Sequence, residues 1–130
     1  MSTTVYVDTN VIMDFLLDRR KSAATFFIRA RSCEFSLVLS TLTIKELAKY
    51  HASSEVELFL KVLREKAVVH DITEEDKRRA QEAVQTHDTH YADALHYVVA
   101  RRVGATILLT QNTKDFLCFD DILIRGSDDI

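Results

Sequence analysis

A chain of 130 residues, 47% hydrophobic and 28% charged, fits one domain spanning 1–130 with one core, and excludes a disordered chain or a membrane protein. No apolar run nears the length that spans a bilayer, and Met1-Ser2-Thr3-Thr4 enters a β-rich run with no basic, cleavable leader, so a cytoplasmic protein is expected. The net charge of −3 argues against a tight, non-specific duplex binder, but not against nucleic-acid chemistry at a site whose carboxylates a cation neutralises locally.

In chain order, 4–7 reads as a first strand. Val11, Ile12, Phe15 and Leu16 recur at helical spacing over 9–18, and a second helix is expected over 21–33. Residues 35–39 form the next strand, followed by helices over 43–51 and 55–66. The latter carries an apolar stripe of Val56, Phe59, Leu60 and Leu63, read as core or as a face for a partner helix or second subunit. A strand over 67–70 precedes helices over 74–86 and 90–103, the last with a stripe of Tyr91, Leu95, Val98 and Val99 and with Gly104 placed to end it. Strands follow over 106–109 and 121–124, and the 126–130 tail is expected to fray. Strands alternating with helices predict an α/β fold with a mostly parallel sheet of four to five strands and helices on both faces. Cys33 and Cys118 lack metal-ligand spacing and read as buried free thiols.

Parallel α/β sheets bind ligands beyond the carboxyl ends of their strands, here just after 7, 39 and 109. Asp8 directly follows the first strand, Glu46 lies in the helix after the second, Asp93 opens the helix before the fourth, and Asn112 and Asp115 follow that strand. Carboxylates converging there repel unless a hard dication joins them, and oxygen ligands suit Mg²⁺ or Mn²⁺ over Zn²⁺. Each acid also has a plain structural reading. Thr43-x-x-Glu46 and Asn112-x-x-Asp115 fit capping spacings, as do Thr73-x-x-Asp76 and Ser54-x-x-Glu57, which have no site attached. Asp8 can cap a helix, and Asp93 suits a first turn. Asp93 also falls opposite the Tyr91 stripe, as a solvated acid does. His96 reads as a packed or capping histidine.

Four segments resemble PIN domains, in that family's order: Val7-Asp8-Thr9-Asn10-Val11-Ile12-Met13-Asp14, Thr43-Ile44-Lys45-Glu46-Leu47, Tyr91-Ala92-Asp93-Ala94-Leu95-His96, and 104–116 with Thr110-Gln111-Asn112-Thr113-Lys114-Asp115-Phe116. The resemblance implies a Mg²⁺- or Mn²⁺-dependent endoribonuclease that hydrolyses RNA with activated water, of the VapC toxin type, with an antitoxin protein partner and a homodimer. It also implies an acidic set of Asp8, Glu46, Asp93 and Asp115, with Asp8, Asp93 and Asp115 on the metal. Thr9, Asn10, Thr110 and Asn112 are expected to support them. Many relatives have aspartate where this chain has Asn112, so the fourth position lies at Asn112 or Asp115. A neutral Asn112 leaves room for a PIN-like module that binds RNA or protein without cutting.

Other phosphate chemistries fit less well. His87-Asp88-x-His90-x-x-Asp93 has the look of an HD-type metal site, but that fold is all-helical. A haloacid-dehalogenase-type phosphatase wants a second aspartate two residues after the first, where Asn10 stands. Candidate phosphate contacts are Arg19-Arg20-Lys21, Lys45, Lys49, Arg101-Arg102 and Lys114. Lys45, Lys49 and Lys114 rank first because they flank acidic segments.

Overall fold

Val5, Tyr6 and Val7 are all fully buried, as expected of a strand covered on both faces. The computed structural model describes residues 3–32, 34–50 and 54–130. Strands β1 (Thr3–Val7), β2 (Phe35–Ser40), β3 (Ala67–His70), β4 (Ile107–Leu109) and β5 (Leu123–Arg125) form one sheet in the order β3-β2-β1-β4-β5. Every pairing is parallel. The helices are α1 (Thr9–Leu16), α2 (Lys21–Arg31), α3 (Thr41–Tyr50), α4 (Ser54–Lys66), α5 (Glu74–His87) and α6 (Tyr91–Arg102), with a 3₁₀ turn at Thr113–Phe116. No helix among the described residues is long and apolar enough to cross a membrane.

The period of two along the strands divides the core. Val5, Val7, Leu37, Leu39 and Leu109 face α1, α2 and α4 and pack with Val11, Ile12, Phe26 and Leu63. Tyr6, Val38 and Leu108 face the other way, onto Val99 and Ala100 of α6 and onto Phe116, Phe119 and Ile122. A smaller cluster of Ala80, Ala94, Leu95 and Val98 joins α5 to α6.

Gly104 ends α6 in the left-handed region at φ 76. Its N–H donates to Arg101 O at 3.2 Å and the Ala105 N–H donates to Ala100 O at 3.0 Å, the paired bonds of a Schellman cap. Thr73 and Asp76 form a reciprocal capping box on α5. Asp76 also takes two bonds from Arg102, Nε to Oδ1 at 2.8 Å and Nη2 to Oδ2 at 2.9 Å, which tie α5 to the end of α6. Burial alone would raise the Asp76 carboxyl, but Arg102 and Thr73 outweigh it and hold it below its ordinary 3.8. Asp76→Ala is therefore expected to cost about 3 kcal/mol of unfolding free energy in urea titrations, from a lost cap and a lost bidentate pair. An acid with a depressed folded pKa stabilises above its unfolded value. The deficit should be full at neutral pH and shrink as pH falls below 3.8 through the folded value.

Three expectations need correcting. Cys118 is exposed, on the surface turn after Phe116, where its neighbours Phe116 and Phe119 take the core positions. The tail does not fray: Ser127 is buried and bonds Gln111 and Ser22, both at 2.7 Å, and Arg29 Nη1 donates to Ile130 O at 2.6 Å. Tyr91 is exposed, and the buried face of α6 is Ala94, Leu95, His96, Val98, Val99 and Ala100. The readings of Cys33, of the side chain of Val56 and of the Ser54 cap lie outside the described residues and side chains.

Candidate functional site

The connections leaving neighbouring strands β1 and β4 run to opposite faces of the sheet. β1 feeds α1 on one side, and β4 feeds the turn that buries Phe116 on the other. Such a divergence opens a crevice at the carboxyl ends of the strands. A cavity of about 510 Å³ lies there, lined by Asp8, Thr9, Asn10, Arg19, Glu46, Asp93, His96 and Asn112 among others.

Asp8 is the first residue past β1, and its N–H donates to Leu109 O at 2.9 Å, which continues the ladder to β4. Its backbone caps α1 but its carboxylate makes no capping bond. Instead Oδ2 accepts from Thr110 Oγ1 at 2.8 Å and from Asn10 Nδ2 at 3.2 Å. Asn10 also donates to Thr110 Oγ1 at 3.3 Å and accepts the Gln111 N–H at 3.0 Å. The strand exits are thus stitched together around one buried carboxylate, which leaves its Oδ1 toward His96 Nε2 at 3.5 Å.

Glu46 enters from α3. That helix starts at Thr41, so Thr43 sits inside it, fully buried, and does not cap Glu46. Glu46 Oε1 accepts from Thr9 Oγ1 at 2.6 Å and meets His96 Nε2 at 2.9 Å. His96 Nδ1 meets Tyr6 Oη at 2.6 Å, and Tyr6 Oη meets Ser40 Oγ at 2.8 Å. A buried polar relay therefore crosses from the sheet to Glu46. Burial would raise the Glu46 carboxyl, but His96 and Thr9 outweigh it and hold it low. Burial would likewise lower the His96 imidazole, yet Tyr6, Asp8 and Glu46 push it well above its ordinary range.

Asp93 lies one turn before His96 on α6 and lines the same cavity. Its carboxyl is pushed up, first by burial and then by the charges of Asp8 and Asp115. Asp115 is exposed and does not line the cavity, although its charge reaches Asp93. Asn112 does line it, and neither residue caps the turn through its side chain. Lys45, Lys49 and Lys114 are exposed and outside the lining, with only the charge of Lys49 felt at Glu46.

His96 is the site residue that sequence reasoning undervalued. Its spacing from Asp93 placed both on one helix face, but nothing in the sequence put Tyr6 and Glu46 beside its two nitrogens. Asp8, Glu46 and His96 offer ligand atoms within 4.8 Å of one another. Asp8, Glu46 and Asp93 line one cavity, and Asp93 is raised first by burial and then by the charges of Asp8 and Asp115, a setting that suits a hard dication.

The fold and site define a parallel α/β domain with a carboxylate-lined cleft at its switch point. The PIN domain family matches residues 5–121, and the chain belongs to that family. Among solved structures, VapBC2 from Rickettsia felis bound to a DNA fragment from its promoter is 15% identical with TM-score 0.73, covering 95% of this chain and 98% of that one. VapBC-1 from nontypeable Haemophilus influenzae is 21% identical with TM-score 0.73, covering 97% and 99%. A toxin–antitoxin complex from Klebsiella pneumoniae is 22% identical with TM-score 0.71, covering 92% and 95%. At these identities the likeness is one of fold. No curated protein matches the chain in sequence.

Proposed function

We propose that this protein is a Mg²⁺- or Mn²⁺-dependent endoribonuclease and the toxin of a toxin–antitoxin pair, acting in the cytoplasm. The observation that supports it best is the convergence of Asp8, Glu46 and Asp93, from β1, α3 and α6, on one cavity at the switch point. Asp8, Asp93 and Glu46 are the residues that hold the ion, with Asp115 contributing charge from outside. Bound there, the ion supplies a water of lowered pKa and neutralises charge on the phosphoryl oxygens. Thr110 and Asn10 fix the Asp8 carboxylate, and Thr9 and His96 fix Glu46. Those bonds keep Glu46 ionised at the cavity wall, as a ligand carboxylate must be.

The test is incubation of the purified protein with single-stranded RNA in Mn²⁺ or in chelator. Cutting in Mn²⁺ and none in chelator is expected. RNA binding with no cutting under either condition would instead make the chain a non-catalytic PIN-like module.

An antitoxin partner is supported by the similar fold of the Klebsiella pneumoniae toxin–antitoxin complex and of the two VapBC structures. It is also supported by an apolar groove between α2 and α4. Ile28, Leu58 and Val62 there are 66%, 65% and 52% exposed, and Arg31 and Lys66 stand at its edge. Apolar residues so exposed mark an interaction surface. The occupant that suits it is an amphipathic helix of the antitoxin with acidic flanks. Leu58→Arg is expected to leave RNA cutting unchanged and to raise by at least about tenfold the antitoxin needed to suppress it. Equal inhibition of both proteins would remove this groove from the interface. A homodimer completes the proposal, and sedimentation equilibrium at micromolar concentration is its check.

A further inference from the structure

We infer that Arg19 grips a substrate phosphate next to the one being cut, with Asp14 as its positioning residue; the inference rests on the nuclease reading above. A cavity walled by Asp8, Glu46 and Asp93 repels a polyanion, so a cation at its edge is needed to seat the strand. Among the described residues, Arg19 is the only lysine or arginine lining this cavity.

Arg19 is also held in a manner that suits the task. The chain turns through the left-handed region at Asp18, φ 53, and the Arg19 N–H returns to Asp14 O at 2.8 Å. Arg19 Nε then pairs with Asp14 Oδ1 at 2.9 Å, while the side chain remains 51% exposed. The closest contact to Asp14 is made through Nε, which leaves the two-donor Nη edge to meet phosphate oxygens. Asp14 is a buried anchor, its side chain only 11% exposed. Its Oδ2 accepts from Gln111 Nε2 at 3.0 Å and pairs with Arg20 Nε at 3.3 Å. Gln111 follows Thr110, which fixes Asp8. The grip and the central carboxylate are thus referenced to the same strand exit. A mere surface ion pair has no need of a buried, three-partner acid beneath it.

The experiment measures kcat and KM for a short single-stranded RNA in Mn²⁺ across a salt series, with the native protein, Arg19→Ala and Arg19→Lys. Arg19→Ala should raise KM about tenfold, leave kcat within about twofold, and lower the salt slope by about one contact. Arg19→Lys should restore the slope but only part of the KM, because an ammonium lacks the fork. A second readout is modification of Arg19 by phenylglyoxal, followed by peptide mass in Ca²⁺, which the RNA should slow. Native cutting with unchanged KM and slope in Arg19→Ala, or a change in kcat alone, overturns the role of Arg19. No cutting by the native protein overturns the nuclease reading. In that case protection of Arg19 by RNA still upholds the grip, and no protection overturns it as well.

Discussion

Asp93→Asn is expected to lower RNA cutting in Mn²⁺ by at least about a thousandfold while raising the melting temperature of the metal-free protein. The two signs follow from one observation. The Asp93 carboxyl is pushed up by burial and by the charges of Asp8 and Asp115, so its ionised form is disfavoured in the folded state. An acid with a raised folded pKa costs stability as pH rises through its unfolded value toward the folded one, and that cost is fully present above both. Replacing the carboxylate with an amide of equal size removes the cost at neutral pH. On the proposed function it also removes one of the charges that would hold the ion, and with it the transition-state stabilisation the ion would provide, on the order of 4 kcal/mol for a thousandfold. Asp8→Asn should match it in activity, because the amide oxygen can still accept from Thr110 while the site loses its charge. Differential scanning calorimetry in chelator and RNA cleavage in Mn²⁺ measure the two effects. A variant that cuts at the native rate would remove Asp93 from the site. One that melts lower in chelator would show that Asp93 is a structural acid after all.

How far the chain could be read without coordinates depended on the range of the interaction. The strands at 4–7, 35–39, 67–70 and 106–109 and all six helices fall within a few residues of where periodicity places them, because patterning is local. Strand β5 is shifted to Leu123–Arg125, since an edge strand of three residues has too few alternating positions to fix its frame. The tail and Tyr91 depart from their local sequence pattern for a different reason. Ser127 is held by Ser22 and Gln111, and Tyr91 is left outside because α5 covers the next face round the helix. Neither fact is visible within ten residues of sequence. Of the site, the positions of Asp8 and Thr110 follow from strand ends alone. The meeting of Asp8, Glu46 and Asp93 was supplied by family resemblance, as each acid by itself fitted a cap. The carboxylates of Asp8 and Glu46 make no capping bond and are spent on Thr110, Asn10, Thr9 and His96. Asn112 lines the cavity, and Asp115 acts on Asp93 from outside it.

His96→Gln and His96→Leu should part company, and the difference tells a positioning histidine from a metal ligand. His96 is 2% exposed and both of its nitrogens are engaged, Nδ1 with Tyr6 and Nε2 with Glu46. A ring so committed has no lone pair to offer an ion, despite lying within ligand range of Asp8 and Glu46. On the proposed function its part is to aim Glu46, as an outer hydrogen-bond partner aims a ligating carboxylate, a role whose loss costs about 10- to 100-fold. Leucine fills the volume but leaves the buried Tyr6 hydroxyl to Ser40 and Glu46 to Thr9 alone. About 2 kcal/mol of stability and about 30-fold in cutting should be lost. Glutamine places an amide N–H near the position of Nε2 and can restore the bond to Glu46, so His96→Gln should cut within about fivefold of native in both Mg²⁺ and Mn²⁺. Were His96 a ligand, an amide oxygen in its place would favour the harder ion, and the ratio of Mg²⁺- to Mn²⁺-supported rates would rise in His96→Gln. An unchanged ratio with restored cutting assigns His96 to the relay from Tyr6 to Glu46. A raised ratio moves it into the metal's own coordination and leaves Glu46 with Thr9 as its only fixed partner.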